Sequence, residues 1–348
     1  MAVIAGDGIG KEVIPAGIQV VQKAAAACGA DVEFVEFPWG CDFYHRHARM
    51  MDVDGFERLR EFDAIYLGAI GDPSVPDHIS VWQLILPIRQ RFDQYVNLRP
   101  MRLIAGASTP LAGRGPADID MVCVRENSEG EYAGIGGRLH RGTPNDVAQQ
   151  VSVMTQRGIE RIARYAFETA ARRPRRLLAS ATKSNALQYT MVLWDEVLEA
   201  VAKDYPTVSW RKYHVDALVA RMVTDPGSID VIVASNLFGD ILTDLGAAVS
   251  GSLGIAPSGN INPERRFPSM FEPIHGSAPD IAGKGVANPI GAIWAGALML
   301  DHLGAREGHD AIVGAIARVM AGSGPRTPDL GGRAGTADVT TAILQELP

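Results

Sequence analysis

The stretch that most limits what this chain can fold into is Asp230-Val231-Ile232-Val233-Ala234, followed without a break by Ser235-Asn236-Leu237-Phe238-Gly239-Asp240-Ile241-Leu242-Thr243-Asp244-Leu245-Gly246. The first part is a short apolar run rich in Val and Ile, the pattern of a parallel strand covered on both faces. The second part changes to a helical period, with Ile241, Leu242 and Leu245 on one side. Asp240 and Asp244 stand four residues apart and so share a helix face, with Cβ atoms about 5–6 Å apart. Two carboxylates that close repel each other unless a cation lies between them. A hard divalent ion with oxygen ligands, Mg²⁺ or Mn²⁺, suits the pair. Taken singly, Asp240 complements the helix dipole and Asp244 is a solvated residue. The pair at a strand-to-helix turn points to metal.

The same alternation runs along the chain. Strands are expected over 2–5, 31–37, 62–68, 119–124, 176–181 and 208–213, besides 230–234. Helices are expected from Gly10 to Gly29 and over 156–172, 186–203, 289–303 and 308–321, with Asn288-Pro289 as a helix start. This is the pattern of an α/β sheet protein. At 348 residues, two domains are the default. Gly6-Asp7-Gly8-Ile9-Gly10 invites comparison with the dinucleotide fingerprint, but Lys11 holds the place of the third glycine. It reads instead as a tight turn that needs glycine backbone. Loops are expected at Gly71–Pro76, at the polar arm 134–146, at Pro257–Asn260, and at Phe271–Asp280, whose small residues let a flat ligand approach the backbone.

Charge narrows the partners. Lys and Arg number 33 against 40 Asp and Glu, so the net charge is 33 − 40 = −7, with both signs interspersed. That argues against nucleic acid or an anionic membrane. An anionic substrate must be met by a local cluster of cations. Arg89, Arg91, Arg99, Arg102 and Arg125 are candidates, because guanidinium forks bind carboxylates bidentately and several together suit a dicarboxylate. Each alone reads as a surface residue. Lys183, at the end of the strand before Ser184-Asn185, resembles a placed functional group, although most lysines are simply exposed. Three cysteines without metal-type spacing, Cys28 and Cys123 among them in apolar runs, fit a reducing cytoplasm. Met1–Ala5 leads straight into a strand, so no signal peptide is expected there. No apolar run approaches the ~20 residues of a membrane span.

Several motifs, in order and over essentially the whole chain, carry a family resemblance. They are Gly6–Gly10, Asn97-Leu98-Arg99-Pro100, Val124-Arg125-Glu126-Asn127, Asn236-Leu237-Phe238-Gly239-Asp240 and His275-Gly276-Ser277-Ala278-Pro279-Asp280. Together they resemble the β-decarboxylating dehydrogenases, the family of isocitrate, isopropylmalate, and tartrate or D-malate dehydrogenases. Pro76–Trp82 and Phe92–Asn97 look like the tartrate/D-malate branch. The loop before the first Arg, which in the family selects the C3 substituent, carries Trp82, Leu84 and Ile85. Isocitrate enzymes place Ser and Asn there, and isopropylmalate enzymes a Glu and Leu residues.

The resemblance implies a fold distinct from the Rossmann fold: a discontinuous large domain (1–96 and 253–348) and a small dimerising domain (97–252) with the arm. It implies a homodimer with shared active sites. Arg89, Arg99 and Arg125 would hold substrate carboxylates. Asp240 and Asp244 would bind Mg²⁺ or Mn²⁺ with Asp216 of the partner subunit, and Tyr132 and the partner's Lys183 would move protons. NAD would lie on His275, Gly276, Ser277, Ala278, Pro279 and Asp280 and near Asn288. Asp280 can accept from a ribose diol and repels a 2′-phosphate, where NADP-using relatives carry Lys and Tyr. The implied reaction is oxidation with decarboxylation of D-malate or tartrate. Alternatives are 3-isopropylmalate dehydrogenase, a metal-dependent lyase without NAD, and a non-catalytic dicarboxylate-binding paralogue. A K⁺ requirement stays open.

Overall fold

In the computed structural model, which describes residues 1–348, strand and helix alternate to build one mixed ten-stranded sheet and a separate hairpin. The strands are β1 (Ala2–Gly6), β2 (Val35–Glu36), β3 (Ala64–Ala69), β4 (Val96–Arg102), β5 (Asp120–Glu126), β6 (Gly130–Leu139), β7 (Val147–Val153), β8 (Leu177–Thr182), β9 (Ser209–His214), β10 (Val231–Ala234), β11 (Pro257–Ile261) and β12 (Ser269–Pro273). The sheet order is β2-β1-β3-β12-β11-β4-β5-β10-β8-β9. Both flanks are parallel, whereas the centre, β12-β11-β4-β5, is antiparallel. That centre separates the fold from the all-parallel dinucleotide-binding sheets. The seam between β4 and β11 joins strands from residues 1–69 and 257–273 to strands from 96–126 and 177–234.

Each half of the sheet is covered on both faces, as near-continuous apolar strands require. Along β1 and β3, Val3, Ala64 and Tyr66 point to helices Gly10–Ala27 and Ile290–Leu303, while Ala2, Ile4, Ile65 and Leu67 point to a second cluster with Phe37, Trp39 and Ile88. Along β10, Val231 and Val233 meet helices Gln156–Arg172 and Thr190–Ala202. Ile232 and Ala234 instead meet helices Val215–Thr224 and Asn236–Val249. Burying each Val, Ile or Leu among them contributes about 1.5–3 kcal/mol, which fixes the faces the strands present.

The structure corrects several expectations. Only Val35–Glu36 of 31–37 is a strand, an exposed edge paired with β1 over two positions. Pro257–Asn260 is no loop but the start of β11, fully buried despite its turn-like composition. There the Ser258 and Asn260 side chains accept from Asn97 Nδ2 at 2.7 and 3.1 Å. Phe271–Pro273 likewise belongs to β12, so the small-residue loop starts after it. The segment before Arg89 is helical, Asp77–Ser80 and Leu86–Arg91 flanking a π-helical Val81–Ile85. The polar arm is an antiparallel hairpin of β6 and β7. The helix expected from 186 begins at Thr190. The helix after Asn288 begins at Ile290, whose N–H is accepted by Asn288 Oδ1 at 3.0 Å. Helix Thr336–Glu346 was not foreseen. Cys28 is half-buried, unlike Cys41 and Cys123. No helix is long and apolar enough to cross a membrane.

Candidate active site

The site grows from the pairing of β5 with its neighbours. Arg125 lies near the end of β5, opposite Ala234 of β10 and Asn97 of β4. The helix Asn236–Val249 therefore starts beside the Arg125 side chain. The buried guanidinium donates through Nη2 to Asn236 Oδ1 at 2.8 Å and through Nη1 to Asp240 Oδ1 at 2.5 Å. Gly239 is required here, because a Cβ on it would meet Arg125 Cγ at 2.5 Å. Arg99 of β4, opposite Cys123 of β5, donates through Nη1 to Thr243 Oγ1 at 2.7 Å and to the same Asp240 Oδ1 at 3.2 Å. Two buried guanidinium groups thus converge on one oxygen of one carboxylate.

Asp240 Oδ2 faces Tyr132, whose hydroxyl donates to it at 3.4 Å. Tyr132 sits on β6, its ring 5.6 Å from the Arg125 guanidinium. Its backbone carbonyl accepts from Gln90 Nε2 at 3.2 Å. Further along the strand, Gly134 carries the ring of Trp82 where a Cβ would stand. The helical segment with Trp82 and Arg89 is thereby seated on the arm that carries Tyr132. Arg89 itself donates through Nη2 to Glu272 Oε1 on β12 at 2.8 Å.

Electrostatics distinguish the two acidic residues of the opening motif. Burial works to raise the Asp240 carboxyl, but Arg125, Arg99 and Arg89 outweigh it and hold it below the usual carboxylate range. Asp244 is pushed up by burial and then by the Asp240 charge, with Arg99 and Arg125 opposing. Burial, with Asp240, also raises the Tyr132 phenol, so its proton is retained at neutral pH. The donor set fits a hard divalent cation: Asp240 Oδ2 holds only one long hydrogen bond, and Asp244 repels a carboxylate one turn away.

Asp216 stands apart. Its carboxylate pairs with Lys183 Nζ at 2.8 Å in the same chain, which lowers its pKa. The single chain brings together no group of three metal-capable His, Cys, Asp or Glu residues. Arg89, Arg99, Arg125, Tyr132, Asp240 and Asp244 form one cluster, and Lys183 with Asp216 form another.

Beyond β12, the loop of His275 to Asp280 packs on the Gly6–Gly10 turn, where Ile9 N–H donates to Ser277 O at 2.9 Å. Burial lowers the His275 pKa and keeps the ring neutral. Its Nε2 is out of solvent and without a partner, which leaves a polar atom for a ligand to satisfy. Gly276 has open space where a Cβ would be, and Pro279 and Asp280 are exposed. Asn288 Nδ2 donates to Asp329 Oδ2 at 2.9 Å. An unpaired imidazole nitrogen, open backbone and an exposed carboxylate fit a dinucleotide.

Sequence reasoning missed four residues that hold this site: Asn236, Thr243, Glu272 and Asn260. Asn236 and Thr243 flank Asp240 at helical spacings of four and three, a signal that was available. Glu272 and Asn260 lie in stretches with the composition of loops, so nothing in the sequence marks them as inward-facing.

This sheet, with two arginines converging on the Asp240 carboxylate of a helix, defines the class. The family model for isocitrate/isopropylmalate dehydrogenase matches residues 1–345, and the chain belongs to that family of oxidoreductases. Among its relatives, it is 56% identical to the D-malate dehydrogenase [decarboxylating] of Escherichia coli (strain K12), over 99% of this chain and 97% of the other. It is 52% identical to the tartrate dehydrogenase/decarboxylase of Pseudomonas putida, over 100% and 97% of the two chains. Its fold matches the crystal structure of isocitrate dehydrogenase from Methylococcus capsulatus with a TM-score of 0.90, at 34% identity over 99% and 98% of the chains.

Proposed function

We propose that this protein oxidises and decarboxylates a malate-type 2-hydroxy dicarboxylate, D-malate or tartrate, with NAD and Mg²⁺ or Mn²⁺. D-malate would give pyruvate, CO₂ and NADH; tartrate, with a C3 hydroxyl, would stop at oxidation or go on to lose CO₂. The observation that carries the reading is the convergence of Arg99, Arg125 and Tyr132 on Asp240, with Asp244 one turn on. The names of the D-malate and tartrate relatives support this choice over 3-isopropylmalate.

Arg89, Arg99 and Arg125 bind and orient the carboxylates of the substrate, in a chain whose overall charge is negative. Asp240, Asp244 and Asp216 of the partner subunit hold the cation, and the His275–Asp280 loop and Asn288 hold the dinucleotide. Bound there, a divalent cation supplies Lewis acidity toward the C2 oxygen, and NAD supplies the hydride acceptor. Lys183 of the partner subunit takes the C2 hydroxyl proton. Tyr132, held protonated by burial, returns a proton to C3 after CO₂ leaves. Trp82, beside the Tyr132 strand, restricts the space for a C3 substituent.

The homodimer is part of the same reading. It is supported by the Lys183–Asp216 pair, which one chain leaves apart from Asp240 and Asp244, and by exposed apolar residues near it. Tyr189 is 82% exposed and Leu187 41%, in the segment that follows Lys183. Three free cysteines suit a cytoplasmic enzyme. The test is stoichiometry: one pyruvate for each NADH from D-malate supports the reading, and faster NADH formation from 3-isopropylmalate overturns the substrate choice.

A further inference from the structure

The Gly6–Gly10 turn is the one sequence motif left without a part in the chemistry, and its continuation supplies one. Glu12 stands in the first turn of helix Gly10–Ala27. Its carboxylate reaches across the chain to the far end of the segment between His275 and Asn288. Oε1 accepts from Gly283 N–H at 2.5 Å and Oε2 from Gly285 N–H at 2.9 Å. Both glycines are left-handed, with φ of 76° and 65°. Their N–H groups lie in an exposed turn with no strand or helix to pair them, and the carboxylate is their partner. On the near side, Ile9 N–H holds Ser277 O, and Gly8 leaves no room for a Cβ against that carbonyl. Behind, Thr336 donates its N–H to Gly285 O at 2.8 Å and its hydroxyl to Ala287 O at 2.6 Å.

We propose that Glu12 is a positioning residue for the dinucleotide: with the glycine turn before it, Glu12 holds the His275–Asn288 segment in its binding shape. This rests on the assignment of His275–Asp280 to NAD. The turn does not wrap the pyrophosphate itself, as a G-x-G-x-x-G loop does; it fixes a second loop from behind. Hydrogen bonds from backbone to a charged acceptor are among the stronger ones, so releasing both allows the segment to wander.

The test uses the full-length protein and its Glu12→Gln and Glu12→Ala variants. Gln keeps the shape and one acceptor oxygen; Ala keeps neither. NADH affinity is read by fluorescence titration, and amide exchange by mass spectrometry over 281–286. In Glu12→Ala, NADH affinity is expected to fall about tenfold, with Glu12→Gln between. Exchange at Gly283 and Gly285 is expected to quicken, while the KM for D-malate stays close to the parent and circular dichroism shows the variants folded. Folded variants with unchanged NADH affinity overturn the proposal, even though the parent binds NADH. A parent chain that binds no NADH overturns the cofactor assignment first, and the role of Glu12 with it.

Discussion

Lys183 and Asp216 form an ion pair of 2.8 Å within the chain, with Asp216 68% exposed, while Asp240 is engaged elsewhere by Arg99 and Arg125. In the proposed reading this pair, a base and a metal ligand, serves the site of a second chain. Lys183→Met alone is expected to lower NADH formation by about 10²–10⁴, the span of a lost general base. Asp240→Asn is expected to be as inactive. Mixing the two unfolded chains and refolding them produces hybrid dimers in which one site has both native residues. With random pairing, about a quarter of the parent activity returns. No recovery from a mixture that forms dimers contradicts the shared site.

Tyr132 touches Asp240 only through one long hydrogen bond, so Tyr132→Phe is expected to change stability by less than about 1 kcal/mol. Its effect falls on turnover. The kcat for D-malate drops by about 10²-fold or more, and KM changes little because the arginines hold the carboxylates. Oxidation and some loss of CO₂ still proceed, so NADH runs ahead of pyruvate while the enolate waits for a proton. Parallel assays of NADH and pyruvate would show the two out of step; equal, undiminished rates exclude Tyr132 as proton donor.

Arg89 is expected to serve stability as well as binding. Its side chain is 9% exposed and that of Glu272 10%, so the pair is a buried one. Arg89→Met leaves Glu272 with Asn260 Nδ2 at 2.7 Å and no cation. Losing one partner of a buried pair costs about 3 kcal/mol. Urea denaturation is expected to register that loss, and to register less of it when Glu272→Gln is added. Equal stability in both backgrounds would separate Arg89 from Glu272.

A half-buried histidine is expected to set part of the acid sensitivity. His302 lies against Phe271, with ring centroids 5.5 Å apart. Burial, then Arg265, holds it down to about 4, against the partial support of Asp301. Since the folded value lies below the ordinary one, its contribution to stability is whole above about 6.5. It is lost as the pH falls from there through about 4. His302→Gln should flatten the stability curve in that window by on the order of 2 kcal/mol. A parallel, unflattened curve assigns the acid sensitivity to other groups.

Much of this was legible in the chain. The alternation of Val/Ile runs with helical periods marked the strands whose faces are covered, β1, β3, β5, β8 and β10. The Asp240/Asp244 spacing marked the helix that the arginines meet. The antiparallel centre was not legible. β11 is made of Pro257, Ser258, Gly259, Asn260 and Ile261, a composition with the chemistry of a turn. It is a strand because Asn97 satisfies the Ser258 and Asn260 side chains and because the Phe271 ring fills the place of a Gly259 side chain. Those are long-range facts, and Glu272 and Asn260 were hidden with them. The pairing of Glu12 with a turn some 270 residues away was hidden for the same reason.

The most direct measurement is NADH formation with D-malate, the tartrates, 3-isopropylmalate and isocitrate, each with and without EDTA. The expected result is NADH from D-malate and tartrate, little from the other two acids, and none in EDTA until Mg²⁺ or Mn²⁺ is returned. Preferential turnover of isocitrate or 3-isopropylmalate, or NADH formation indifferent to EDTA, would contradict it.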